Sequence, residues 1–233
     1  MPTVTVNDIA IYYELLGQGE PLVFIGGLAI DLSDYSGVIK ALAEDYRVLA
    51  FDNRGAGRTD KPNMPYSIEL MADDTAKLMA AVGITRANII GLSMGGRIAL
   101  HLALAHPELV KKLILVSTSA RVDKKRSWLV GLLGILSSLP ILPRGKYPQP
   151  RYAFLRQRQA SRAYDCTTRL AELKMPVMIM HGRRDIIAPY ALALEMRDKI
   201  PGAKITPFAG GHLFSLMGEQ KEFIEAVKKF VRD

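Results

Sequence analysis

A chain of 233 residues, 49% of them hydrophobic and 23% charged, is the right size for one domain with a full core of its own. The single cysteine, Cys166, excludes a disulfide framework, and no charged start leads into an apolar stretch and a cleavage site, so a reducing cytoplasm without secretion is expected. The net charge is +8, which leaves attraction to anionic partners open until the basic residues are located along the chain.

Thr3 to Leu15 alternates in polarity, with Asn7-Asp8 between two apolar runs, and reads as an N-terminal hairpin. A strand is expected at Leu22 to Ile25, a helix near Tyr35 to Ala43, and a second strand at Tyr46 to Phe51. A helix then runs from Ser67, which can cap it, through Leu70, Met71, Thr75, Leu78, Met79 and Val82 to Gly83. The β-branched run ending at Ile89-Ile90 is a strand, and Arg97 to Ala105 is helix-forming. Leu113 to Ser117 and Pro176 to His181 are further strands. Pro189 suits an early residue of a helix ending near Ile200, Lys204 to Pro207 is strand-like, and a helix from about Gln220 to Val231 closes the chain. Aliphatic strands alternating with helical patterns place the chain in the α/β class, with a mostly parallel sheet and helices on both faces. No repeats or low-complexity tracts interrupt it.

The connection between the Ile89-Ile90 strand and the next helix carries the chemistry. Gly91-Leu92-Ser93-Met94-Gly95 is a sharp strand-to-helix turn with a serine at its apex, where the side chain stands clear of the sheet and a Cβ at either glycine would collide with a neighbouring element. That geometry marks Ser93 as a nucleophile. Two partners follow, each just after a strand: Asp185 in His181-Gly182-Arg183-Arg184-Asp185, and His212 in Gly210-Gly211-His212. Strand ends on one edge of an open α/β sheet are where ligands bind.

The order Ser, Asp, His, with the serine in G-x-S-x-G, resembles the α/β-hydrolase superfamily over nearly the whole chain. Leu22 to Ile25 followed by Gly26-Gly27-Leu28 resembles the family's strand and oxyanion loop. Asp52-Asn53-Arg54-Gly55-Ala56-Gly57-Arg58-Thr59 is similar to its D-x-R-G-x-G-x-S loop, and Leu28 to Asp60 is most similar to β-ketoadipate enol-lactonases and small esterases. The resemblance implies an α/β-hydrolase fold with a core from 1–120 and 175–233 and a short cap insertion at 121–174. It implies a triad of Ser93, His212 and Asp185, with the backbone N–H groups of Leu28 and Met94 as oxyanion donors. It also implies a cytoplasmic serine hydrolase that cleaves carboxylic esters, with thioesters or lactones within reach. C–C bond hydrolysis or perhydrolysis by the same triad is the alternative enzyme class, and a non-catalytic binding protein on this fold is the non-enzyme one. A small-molecule substrate is the expected partner. The sequence offers no metal cluster, phosphate loop or dinucleotide fingerprint, so neither metal nor cofactor is expected.

One departure stands out: Gly26 occupies the position where the family commonly carries a histidine that braces the oxyanion loop, which leaves either a less rigidly held donor at Leu28 or another side chain, such as Asp31, as the brace. Gly26-Gly27 also permits close approach of a bulky acyl group. Asp123, after the Leu113 strand, is the rival to Asp185, because some relatives carry their acid there. Asp52 and Arg54 are expected to hold a loop. His101 and His106 are read as packing or surface residues, His181 as structural, Cys166 as inert, and Met64 and Met94 as pocket lining or core.

The basic excess has one address. Between 121 and 174, twelve Lys or Arg face only Asp123, Asp165 and Glu172, a balance of +9, while the remaining residues carry 19 basic and 20 acidic groups. Within this segment Trp128 to Leu142 is apolar, but it is too short and too often broken by glycine, serine and proline to span a bilayer. It is expected to fold over the pocket mouth as a short cap, with a shallow or open site beneath. Arg151, Arg156, Arg158, Arg162 and Arg169 read as the solvated face of helices whose apolar sides pack on the core. The competing reading is attraction to anionic substrates, or weak contact with an anionic membrane surface. Nucleic acid is not expected, since no aromatic stacking platform accompanies the charge.

Overall fold

The computed structural model describes residues 2–123 and 146–233; the apolar run at 128–142 lies outside the described residues. Strands β1 (Thr3–Val6) and β2 (Ile9–Leu16) pair antiparallel with Val6 opposite Ile9. Asn7 and Asp8 between them have φ of 48° and 59°, the paired positive values that a two-residue hairpin turn requires. Six strands follow: β3 (Pro21–Ile25), β4 (Arg47–Phe51), β5 (Ala87–Leu92), β6 (Val110–Val116), β7 (Val177–Gly182) and β8 (Lys204–Phe208). The eight form one sheet in the order β1-β2-β4-β3-β5-β6-β7-β8, parallel from β4 through β8.

Side-chain alternation divides the core into two layers. Val23, Ile25, Leu49, Ile89, Leu113 and Ile179 face helices α2 (Ile68–Ala81), α3 (Met94–Ala105) and α5 (Tyr190–Lys199). Their neighbours Leu22, Phe24, Val48, Ile90, Ile114 and Met180 face α1 (Ser36–Ala43) and α6 (Gln220–Arg232). With both faces covered, the central strands can be apolar at every position, which is why they read as continuous hydrophobic runs.

Two local details differ from the sequence expectation. A 3-10 turn at Leu32–Tyr35, capped by Asp31, precedes α1, so the α-helix begins at Ser36. Helix α3 begins at Met94 and not at Arg97, because the turn at Ser93 delivers the chain straight into helical geometry. Ser67 caps α2 as expected, its hydroxyl accepting from the Leu70 N–H at 3.0 Å.

Helix α4 (Arg151–Ala163) corrects a second expectation. Its buried residues are Ala153, Gln157, Ala160 and Ser161, while Leu155 is 41% exposed. The inward face mixes two alanines, of which Ala160 packs in the core, with the polar Gln157 and Ser161, and it is less apolar than the face expected of a helix packed on a core.

Candidate active site

Ser93 sits at the N-cap of α3 with φ 54° and ψ −115°, a strained conformation for a residue with a Cβ. Its surroundings determine that conformation at several points. The Ser93 N–H donates to the Val116 carbonyl at 2.9 Å, and its own carbonyl accepts from Gly96 N–H at 3.0 Å and from Thr118 Oγ1 at 2.6 Å. A Cβ on Gly91 would lie 2.5 Å from the Gly95 carbonyl oxygen, and one on Gly95 would lie 2.2 Å from that of Ile25. Both glycines are therefore demanded by the close approach of β5, β3 and α3 at the elbow.

His212 bridges the serine and the acid. Ser93 Oγ donates to His212 Nε2 at 2.9 Å, and His212 Nδ1 donates to Asp185 Oδ2 at 2.8 Å. The histidine loop is tied to the aspartate loop through Arg184, whose N–H reaches the Gly210 carbonyl at 3.0 Å and whose Nε reaches that of Ala209 at 2.7 Å. From the other side, Glu219 accepts from the Ala209 and Gly210 N–H groups at 2.9 and 2.6 Å.

Asp185 is buried at the end of β7, and every lone-pair direction is used. Oδ1 accepts from the Ile187 and Ala188 N–H groups at 2.9 and 2.8 Å, while Oδ2 accepts from His212 and lies 3.2 Å from His181 Nε2. Burial alone pushes this carboxyl up. The hydrogen bonds from His181, His212 and Ala188 outweigh that and hold it well below the usual carboxylate range, so it is an anion at any working pH. His181, fully buried, also donates from Nε2 to the Ala188 carbonyl at 2.7 Å. It is structural, as expected, but its contact with the acid was not anticipated; the four-residue spacing of His181 and Asp185 across the strand end was the available signal. Asp123 lines a separate surface depression with Arg121 and Asp165, and the carboxylate at His212 is that of Asp185.

Leu28 and Met94 both line the cavity that contains Ser93 and His212. The loop that follows β3 is braced by two side chains that the sequence did not single out for that role. Asn53 Nδ2 donates to the Gly26 carbonyl at 2.8 Å, and the Ala29 N–H donates to Gln157 Oε1 at 3.1 Å. Asp31, the residue expected to substitute for the missing histidine, instead caps the following 3-10 turn, accepting from the Ser33 N–H at 2.8 Å. Asp52 and Arg54 hold loops as expected. Asp52 accepts from the Leu32 and Arg58 N–H groups, both at 2.8 Å, and Arg54 makes a buried two-pronged pair with Asp74 at 2.8 and 2.7 Å.

The cavity encloses about 60 Å³. Leu28, Met94, Ile187 and Ala188 form apolar walls; Arg97, Arg158, Ser161 and Arg162 form a polar side. Of the arginines read as a solvated face, Arg158 and the exposed Arg162 also line the cavity, whereas Arg151 and Arg169 are exposed without lining it, the latter paired with Glu172. Met94 lines the cavity, but Met64 is 41% exposed and does neither of the things expected of it. Cys166 is buried, and burial pushes its thiol up, as an inert packing residue requires. His101 stacks edge-on against Tyr164 at 5.8 Å, and His106 caps α3 at the surface. No helix among the described residues is long and apolar enough to cross a membrane, and none of their His, Cys, Asp and Glu side chains form a metal-binding group.

The family model of the α/β hydrolase fold matches residues 20–145. A relative from Azorhizobium caulinodans named as a carbamate hydrolase, RutD, is 30% identical, with 92% of each chain covered. The AB hydrolase superfamily protein YisY of Bacillus subtilis is 28% identical over 96% of this chain and 95% of that one. Among solved structures, the enol-lactonase from Burkholderia xenovorans LB400 superposes with a TM-score of 0.89 at 25% identity, covering all of both chains. Elbow, sheet order and sequence likeness agree: the chain belongs to the α/β-hydrolase family and is a hydrolase.

Proposed function

We propose that the protein is a serine hydrolase that cleaves carboxylic esters, with lactones and thioesters within reach, through an acyl-enzyme on Ser93. The observation that carries the reading is the continuous chain of hydrogen bonds from Ser93 Oγ through His212 to Asp185, at 2.9 and 2.8 Å, in a cavity that also contains Leu28 and Met94.

Ser93 as a free alcohol is a weak nucleophile, so His212 Nε2 takes its proton as Oγ attacks the acyl carbon. Asp185, held as an anion, keeps the Nδ1 proton on His212 and stabilises the imidazolium that forms. The backbone N–H groups of Leu28 and Met94 are the donors for the tetrahedral oxyanion. Because they are main-chain groups, the rigidity supplied by Asn53 and Gln157 matters more to this step than the identity of either side chain. The imidazolium returns its proton to the leaving alcohol, and a water activated by the same histidine releases the acid. In this reading 121–174 is the cap over a core formed by 1–120 and 175–233.

The test is turnover of an ester panel from acetate to long-chain acyl groups, extended with a lactone and a carbamate, since related proteins carry names for those two activities. Ester hydrolysis lost in Ser93→Ala supports the reading. A β-diketone cleaved in preference to every ester would move the chemistry to C–C hydrolysis.

A further inference from the structure

Among the described residues, no carboxylate pairs with Arg97. Its guanidinium is buried, yet both of its terminal nitrogens are bound to hydroxyls: one donates to Ser161 Oγ at 2.8 Å and the other to Ser119 Oγ at 2.9 Å. Its Nε–H is buried without any partner. The ionisable groups that act on it are Cys166 and Tyr164, and burial raises both, so neither supplies a negative charge at neutral pH. Burial brings Arg97 itself down to about 10, which still leaves it a cation.

Leaving a desolvated cation unpaired is costly in a folded protein. The location of this one is specific. Arg97 lies four residues after Ser93, on the same face of α3 and one helical turn along, and it lines the same cavity. Arg158 and Arg162 line that cavity from α4, and no carboxylate is among its described lining residues. The Arg97 guanidinium in the pocket lining is thus a preorganised cation whose desolvation is already met by the fold, so an anion placed there gains more than it would at an exposed arginine.

We infer that the cavity selects substrates whose acyl half carries a carboxylate a short chain away from the scissile carbonyl, with Arg97 as the residue that binds it and Arg162 assisting. This rests on the acyl-transfer reading above, and it names the substrate class: half-esters of short dicarboxylic acids. It differs from long-range steering by the +9 segment, since a contact made by a buried guanidinium is only weakly screened by salt.

The experiment compares kcat/KM for monoethyl succinate and ethyl succinamate, which differ only in a carboxylate against a neutral amide. The wild-type ratio should favour the half-ester by about tenfold to a hundredfold, the range of a hydrogen bond to a charged group, and should persist in 0.5 M NaCl. Arg97→Met should bring the ratio close to one. A ratio within a single preparation is insensitive to any loss of folded enzyme, and the exposed Arg162→Gln, which cannot disturb the core, should lower it by a smaller factor. A wild-type ratio at or below one, a ratio unchanged in Arg97→Met, or a preference that collapses in salt would each overturn the inference while leaving ester hydrolysis standing. If neither ester is turned over, the acyl-transfer reading fails by itself, and calorimetry still decides the anion site. Succinate binding to wild type more tightly than succinamide, and losing that advantage in Arg97→Met, supports it; equal binding overturns it.

Discussion

Asp185→Asn is the sharpest perturbation of the proposed mechanism, because the asparagine is isosteric and its orientation can be worked out from the site. An amide presents one acceptor and one donor, and the two sides of Asp185 each face two N–H groups. If the NH2 faced Ile187 and Ala188, it would oppose backbone donors that cannot change. Facing His212 it opposes an imidazole, which can move a proton between ring nitrogens, and only the longer 3.2 Å contact with His181, whose Nε2 proton is held by the Ala188 carbonyl, is left unfavourable. The second orientation wins. His212 then carries its proton on Nε2, pointing at Ser93 Oγ, and can no longer accept the serine proton. The chymotrypsin case gives the scale for a wrong tautomer, about 10⁴-fold in kcat, equivalent to about 5.4 kcal/mol of barrier.

The assay is kcat/KM on a short-chain ester beside urea unfolding, with Asp123→Asn as the control, expected to be near neutral. A second readout is acid stability. Asp185 is depressed in the folded state, so its contribution is present above the unfolded carboxylate value of about 3.9 and is lost as pH falls towards the folded one. Wild type should lose stability through that acid window more steeply than the asparagine variant. An Asp185→Asn rate within tenfold of wild type, or a larger loss in Asp123→Asn, would refute the assignment of the acid.

Three further outcomes are expected. A fluorophosphonate should label Ser93 alone by peptide mass mapping, and Ser93→Ala should lower ester turnover by about 10³-fold or more, because the three groups act as a unit. His212→Gln should lower the acylation rate by about 10³-fold or more, since it removes the acceptor of the Ser93 proton, which single-turnover kinetics would reveal. Gly95→Ala should cost about 3 kcal/mol in urea unfolding, since its Cβ meets the Ile25 carbonyl oxygen at 2.2 Å and overpacking against rigid backbone reaches the upper end of such costs.

The parts legible in the sequence are those encoded within a few residues. The Asn7-Asp8 turn, the Ser67 cap and the elbow glycines declare themselves because each conformation is set by local backbone requirements. The order of Ser93, Asp185 and His212 is legible for a different reason: in a parallel sheet every strand ends on the same edge, so side chains placed just after strands converge. The braces were not legible. Gln157 reaches Ala29 across 128 positions, and Asn53 reaches Gly26 across 27, and no period or motif announces a side chain whose partner is a distant backbone group. Arg97 was hidden differently. It reads as the first residue of a helix, and only its four-residue offset from Ser93, once the helix is known to begin at Met94, puts it in the pocket.

Helix α4 shows why the basic segment misled a reading based on amphipathicity. A helix lying on a sheet or on other helices meets apolar side chains and turns an apolar face to them. What α4 meets is the rim of the active site, made of loops whose backbone groups point outward. Gln157 answers the Arg54 carbonyl at 2.7 Å and the Ala29 N–H at 3.1 Å, Gln149 just before the helix donates to the Gly55 carbonyl at 2.7 Å, and Ser161 answers Arg97. Buried backbone polar groups must find partners, so the inward face of this helix carries Gln157 and Ser161 between its two buried alanines, and Leu155 and Tyr152 are left outside. The same inversion brings Arg158 and Arg162 to the cavity. The excess charge of the segment is therefore not one uniform outer surface: part of it lines the wall of the pocket that holds Ser93 and His212.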